Sequence, residues 1–402
     1  MRPFTSTVSI EQARASLKAA VQPIARTERV PLARAFGRVA AAGVTSSGYV
    51  PPFARSAMDG YAVVATDTLG ATHLSPRALR IVDRVFTGHM ATRAIKEGEC
   101  VEIATGAPLP EGADAVVMVE ETTPVVDGRV GIAAQVNAGQ NVGRRGADIS
   151  PGDFVVRAGD LLNPSRIGAI AAIGTADVEV YAKPRVAVLS TGNEIVEPGG
   201  TLGGAQIYDV NRFTLAAVIE AHGGIADAHP PAKDTLESLE AALAACRGAD
   251  VLIFSGGSSV GERDLLLDLV ERHGTMIFHG IAVKPGKPTA LATINGVPFF
   301  GMPGNPTSCL SNAYILLVPF LRATARLPLY APRTIVAPLG KKIVSQAGRH
   351  QFYTVRLRDD VALPAFKGSG EITSLSQADG YIEIPSEQSV VEEGTAVTVT
   401  LF

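Results

Sequence analysis

At 402 residues the chain is long enough for two to three domains of about 150 residues, each burying its own core. Hydrophobic residues make up 46% and charged residues 19%, which excludes a disordered or low-complexity chain. Lys plus Arg number 36 against 39 Asp plus Glu, a net charge of -3, so no broad basic field is available to hold nucleic acid.

The opening stretch has no apolar core of about 7–15 residues, so it does not read as a signal peptide. Its periodicity predicts an amphipathic helix, with Ser9 and Gln12 as a capping box and Leu17, Val21 and Ile24 on one face. From about 45 to 160 the texture changes to short β-rich runs, AVVMV and DFVVRAG among them, broken by Gly, Pro, Asp and Asn. A small-residue helix, PSRIGAIAAIG, follows at 164–174.

Region 183–327 alternates apolar runs with helical patterns. VAVLS (186–190), DVLIF (250–254) and VPFFG (297–301) read as buried strands, with helices between them. That alternation predicts a parallel sheet covered on both faces. Asp234 and Glu237 read as a capping-box start to one of those helices. The last ~70 residues return to strand alternation (FYTVRLR, YIEIP, AVTVTLF) and predict a small β-barrel or sandwich. The most apolar stretch, AYILLVPFL at 313–321, is too short for a membrane span and contains Pro319. Cys100, Cys246 and Cys309 are an odd number without a C-x-x-C, arguing against a disulfide framework or thiolate zinc site. A soluble, cytoplasmic protein is expected.

In a parallel α/β sheet, ligands bind beyond the carboxyl ends of the strands. Here those ends read Thr191-Gly192-Asn193-Glu194, then Ser255-Gly256-Gly257-Ser258 with Asp264 opening the next helix, then Pro303-Gly304-Asn305-Pro306-Thr307-Ser308. Asn305 suits an N-cap and Pro306 the first helical position, which would turn the Thr307 and Ser308 N–H groups toward an anion. Each loop alone could equally be an ordinary strand-to-helix turn. Lys284 and Lys287, three apart in VKPGKP, form a stiff cationic loop suited to an oxyanion. No G-x-G-x-x-G, Walker A or H-E-x-x-H occurs, which excludes a P-loop ATPase and argues against a zinc centre.

SAMDGYAV, TGAPLPEGADAVV, RRGADI, LSTGNEI, IYDVNR, SGGSSVGERD, VKPGKPT and MPGNPTS occur in this order. Together they closely resemble the MoeA family of molybdopterin molybdenumtransferases, over nearly the whole chain. The resemblance implies a multidomain α/β-plus-β protein. Its parts would be an elongated helical and linker region (1–45 and 150–182), an inserted β-rich domain (46–149), a MogA-like α/β domain (183–327) and a C-terminal β-barrel-like domain (328–402). It implies Mg2+-dependent insertion of molybdate into adenylylated molybdopterin with release of AMP. The site would lie in a homodimer between the α/β domain of one subunit and the β-rich domain of the other, with no nucleic-acid or membrane partner.

By the same resemblance Asp59, Thr105, Asp148, Glu194, Asp234 and Asp264 would be catalytic, the five acids holding Mg2+. Ser255, Gly256, Gly257, Ser258, Lys284, Lys287, Pro303, Asn305, Pro306 and Ser308 would bind substrate, joined by Arg349 and Ser369 of the last domain. The chain departs from the family pattern at Gly143, where an arginine is common, at Ala147, at Asn193 in place of Asp, and at Ser258. The alternatives are a molybdopterin-binding scaffold without turnover, or an adenylyltransferase or nucleotide hydrolase sharing the α/β domain. Neither of the latter accounts for SAMDGYA, TGAP and RRGADI.

Overall fold

A computed structural model describes residues 7–256, 265–345 and 347–402. The chain divides into two units, one of Met1–Glu28, Gly37–Val39 and Glu179–Phe402, the other of Arg29–Phe36 and Ala40–Val178.

The second unit is built on a six-stranded mixed sheet in the order Ala115–Met118, Gly60–Val63, Glu99–Ile103, Arg77–Val85, Arg129–Ile132, Thr122–Val126. Only Arg77–Val85 and Glu99–Ile103 run parallel; the other neighbours are antiparallel. Strand alternation sends Tyr61, Val63, Val117 and Ile132 into one core and Ala62, Val101, Ile103 and Val116 into another. The inner strands of the sheet therefore bury apolar side chains on both faces. The helix Pro164–Ala172 starts as its sequence dictates, with Asn163 capping Arg166 N–H and Pro164 in the first turn.

In the first unit the helix Ile10–Ala20 carries the expected capping box between Ser9 and Gln12. The central sheet runs Ile225–Ala228, Arg185–Thr191, Val251–Gly256, Val297–Met302, Ala290–Ile294, Gly274–His279. The three strands expected from sequence are parallel neighbours, as is Ile225–Ala228. The sheet is mixed rather than wholly parallel: Ala290–Ile294 runs antiparallel to both of its neighbours, Val297–Met302 and Gly274–His279. The reason is local, because Asn295 and Gly296 have positive φ and fold Ala290–Ile294 directly back on Val297–Met302 without a crossover helix.

Alternation again divides the side chains. Val186, Val188, Val251 and Ile253 face the helices Asn211–Ala221 and Val318–Thr324, while Ala187, Leu189, Leu252 and Phe254 face Leu236–Ala245 and Leu265–His273. The start of Leu236–Ala245 corrects the sequence expectation. Thr235, not Asp234, is the N-cap, accepting from Ser238 N–H, which leaves the Asp234 carboxyl out of capping.

The last strands form a sheet in the order Val283–Lys284, His350–Arg358, Gly380–Ile384, Ala396–Leu401, Thr334–Pro338. Its first member is lent by the α/β region: Val283 pairs with His350 and Lys284 with Gln351. On the way to that pairing, Val8 N–H donates to Gly280 O (3.1 Å) and Ala282 N–H to Val8 O (2.8 Å). The backbone leading to Lys284 is thus held by both chain ends. All three cysteines are buried and unpaired, and among the described residues no helix is long and apolar enough to cross a membrane.

Candidate active site

In the second unit, three of the motif-bearing loops meet. Ser56 N–H donates to Ala107 O (3.0 Å), Gly106 N–H to Ser56 O (2.8 Å) and Ala57 N–H to Asn141 O (2.8 Å). Asp59 closes this arrangement, its Oδ1 accepting from Thr105 N–H at 2.7 Å. Asp59 and Thr105 are therefore direct neighbours, both exposed. Val142–Gly143 pairs with Arg55–Ser56, and the Arg55 stem lies 3.3 Å from where a Gly143 Cβ would stand. Asp148 is exposed, at the end of a turn whose backbone bonds Val50 and Pro51. Gly146 has φ +67°, and the Arg145 guanidinium stacks on Tyr49 at 4.2 Å.

In the first unit the strand-end loops converge. Gly256, at φ +99°, lies so close to Thr191 that any Cβ would collide with its carbonyl, and a Cβ on Gly304 would stand 3.5 Å from Gly256 Cα. Gly257, Ser258 and Asp264 fall outside the described residues. Ser255 is buried; it lies 3.3 Å from Pro303 O and 3.7 Å from Cys309 Sγ. Burial pushes the Cys309 thiol up to about 12, so it supplies no thiolate.

Glu194 and Asp234 are the acid pair beside these loops. The Asp234 carboxyl is raised above the usual aspartate range, first by burial and then by the neighbouring Glu194 charge, against opposing bonds from Asn193 and Thr191. Asp234 Oδ1 is buried without a partner. Asn193 keeps the acceptor that an aspartate would offer, taking a bond from Asp234 N–H at 3.2 Å. Among the described residues no group of three or more Asp, Glu, His or Cys is arranged to hold a metal ion.

Asn305 and Pro306 occupy the N-cap and first-turn positions, as expected, but the Asn305 side chain makes no capping bond. It donates instead to Ser369 Oγ at 3.2 Å. The expectation that Thr307 offers a free N–H is corrected: that N–H donates to Ser369 O at 3.2 Å, and the Thr307 hydroxyl to Glu371 O at 2.7 Å. Ser308 is buried. Ser369 thus joins the Asn305 loop, and Arg349 precedes the residue whose N–H bonds Ala282 O at 3.0 Å, beside the Lys284 strand. The lysine loop is braced by buried Asn312, which donates to Gly286 O (2.9 Å) and Thr289 Oγ1 (2.6 Å).

Asn211, Asp209 and Arg212 were given no role in the sequence reading. Asn211 Nδ2 lies 2.8 Å from Ser255 Oγ and 2.7 Å from Gly304 O. Asp209 is buried, accepts from Ser190 Oγ at 2.8 Å and pairs with Arg212 at 3.3 Å. The signal was present in IYDVNR, three polar residues opening an otherwise apolar helix.

Three family models match in order: "MoeA N-terminal region (domain I and II)" over residues 8–174, "Probable molybdopterin binding domain" over 187–323, and "MoeA C-terminal region (domain IV)" over 336–402. A molybdopterin molybdenumtransferase from Haemophilus influenzae is 33% identical over 98% of both chains. The chain belongs to the MoeA family of molybdopterin molybdenumtransferases. Molybdopterin molybdenumtransferase 2 of Mycobacterium tuberculosis is 34% identical, over 92% of this chain and 94% of its own. Among solved structures, a molybdopterin biosynthesis MoeA protein from Pyrococcus horikosii matches with TM-score 0.85 and 40% identity, covering 98% of this chain and 99% of its own. A second, from Pyrococcus horikoshii OT3, matches with TM-score 0.81 and 28% identity over 99% and 100%. The multidomain MoeA architecture, with its MogA-like domain and mixed sheets, is thus shared over the full chain.

Proposed function

We propose that the protein inserts molybdate into adenylylated molybdopterin and releases AMP in a Mg2+-dependent reaction. The observation that carries the reading is the meeting of the Thr191, Ser255–Gly256 and Pro303–Asn305 loops, with the Glu194–Asp234 acid pair beside them and Ser369 drawn in from the C-terminal sheet.

Molybdate is a dianion and the adenylyl group adds phosphate charge, so the substrates need cations and N–H donors. Lys284, Lys287 and Arg349 supply cationic charge, and Ser255, Gly256, Gly257, Ser258, Pro303, Asn305, Pro306, Ser308 and Ser369 form the loops that seat the pterin and phosphate. Asp234 fits a hard cation, having a buried carboxyl oxygen without a partner and the Glu194 charge near enough to act on it. The two would hold Mg2+ with Asp264, and Asp59 and Asp148 complete the acid set in this reading. Bound there, Mg2+ would neutralise charge on the leaving phosphate. Thr105 orients Asp59 through its N–H.

In the same reading the chain has the four parts named above, ends in a barrel-like domain, works in the cytoplasm and forms a homodimer. Asp59, Thr105 and Asp148 of one subunit would then face the α/β loops of the other. The test is to supply purified protein with Mg2+, molybdate and adenylylated molybdopterin and to measure AMP and active cofactor. Stoichiometric release of both is expected; no AMP under those conditions defeats the reading.

A further inference from the structure

Below the crevice lies a buried polar network that the acids and lysines do not explain. Asn211 is only 7% exposed, and its Nδ2 has three acceptors in reach: Gly304 O at 2.7 Å, Ser255 Oγ at 2.8 Å and Pro303 O at 3.3 Å. Two hydrogens on Nδ2 satisfy the two nearest acceptors. The Ser255 hydroxyl, having accepted one, passes its own proton to Pro303 O at 3.3 Å. The amide orientation is fixed by this chemistry, since Oδ1 facing two carbonyls would be repelled. Its Oδ1 is buried and has no partner. The side chain is placed for what it donates, at the expense of what it accepts.

The helix that delivers Asn211 is itself anchored. Asp209 Oδ1 accepts from Arg212 N–H (3.1 Å) and from Ser190 Oγ (2.8 Å), while Arg212 donates to His229 O (3.1 Å) and Glu197 (2.6 Å). One end of the network is thus tied to the strand carrying Thr191, and the other to two loops of the crevice.

We infer that Asn211 is a positioning residue for molybdopterin binding, setting the spacing between the Ser255–Gly256 and Pro303–Asn305 loops. The inference rests on the proposed function and adds to it a residue that sits beneath the bound pterin rather than among the charged groups.

Asn211→Asp keeps the size and the acceptor but removes both donors and turns an anion toward two carbonyls. Protonation would return one donor, and burial brings that protonation within reach of mild pH. The dissociation constant for molybdopterin, measured by titration calorimetry on the folded variant, is expected to rise about tenfold at pH 8 and to recover to within about threefold of wild type at pH 6. kcat at saturating substrate should change less than KM. A merely structural role would lower the melting temperature and leave the affinity of the folded fraction unmoved.

If Asn211→Asp does not fold, Ser255→Ala, which cuts the relay to Pro303 and spares the Gly304 bond, should raise the same constant about threefold. Wild-type affinity at pH 8 in whichever variant folds, or a loss in Asn211→Asp that pH 6 does not reverse, overturns the inference. A wild type that binds molybdopterin beside a variant that binds equally well defeats the positioning role alone. A wild type that binds none defeats the functional reading together with it.

Discussion

Gly286→Ala isolates the coupling between fold and anion loop. Gly286 has φ +102°, outside the range an alanine adopts without strain, and a Cβ there would overlap the Asn312 amide. The backbone strain costs about 1–3 kcal/mol. Asn312 cannot yield cheaply, because it is buried and donates to Gly286 O (2.9 Å) and Thr289 Oγ1 (2.6 Å), each bond worth about 1 kcal/mol. Alanine returns about 0.4–1 kcal/mol by restricting the unfolded chain. The net expectation is a loss of about 2–4 kcal/mol. Urea unfolding followed by far-UV circular dichroism would read it as a lowered midpoint at unchanged slope. Because Lys284 and Lys287 flank Gly286, half-saturation by molybdate should rise as well. A midpoint within about 0.5 kcal/mol of wild type, or a large stability loss with unaltered molybdate dependence, would refute the coupling.

Lys284→Ala should raise the molybdate concentration for half-maximal AMP release about tenfold while shifting stability by less than about 0.5 kcal/mol; unchanged molybdate dependence counts against the lysine. Wild-type protein in Mg2+ at ten times its dissociation constant should gain about 1.4 kcal/mol, whereas Asp234→Asn should gain none, which thermal melts with and without Mg2+ decide. Asp59→Ala and Asp264→Ala should each abolish turnover, and mixing the two should restore part of it through hybrid dimers; no recovery after subunit exchange argues against a shared site. Burial raises the Asp250 carboxyl, but Arg26 and the Arg185 N–H outweigh it and bring it below the aspartate range. Its stabilisation is therefore present above the unfolded aspartate value of about 3.9 and is lost as pH falls through the lower folded one. Asp250→Asn should cost about 1–2 kcal/mol at pH 7, moderated by the exposure of Arg26, and the gap should narrow in melts taken below about pH 4.

The three central strands of the α/β sheet were readable because they are buried on both faces, so their central residues are a continuous apolar run up to the polar carboxyl ends. Ile225–Ala228 was not, since it lies at the sheet edge and carries Asp227. Ala290–Ile294 was hidden differently: its sequence, ALATI, gives no direction, and only the Asn295–Gly296 turn makes it antiparallel. The Asn305–Pro306 helix start was legible as a local rule. That Ser369 would occupy the Thr307 N–H was not, because the partner lies 62 positions away in a turn of the C-terminal region. Asp234 misled for a related reason. Asp and Thr are both good N-caps, and the choice of Thr235 frees the carboxyl for the acid pair.

That choice shows how the α/β unit separates stability from chemistry. The groups that hold the loops are uncharged or internally paired: Asn211 on Ser255 and Gly304, Asn312 on Gly286, Thr307 on Glu371 O, Asp209 on Arg212. The segment that carries Lys284 is held through backbone bonds to Val8 and Ala282–His350, which no side-chain substitution removes. Asp234 does the opposite: burial first, and then the Glu194 charge, make its ionised form more costly. A neutral, apolar residue in place of Asp234 would remove that cost together with its unpartnered buried oxygen. Under the proposed function, the cation that Asp234 would help to hold offsets that cost.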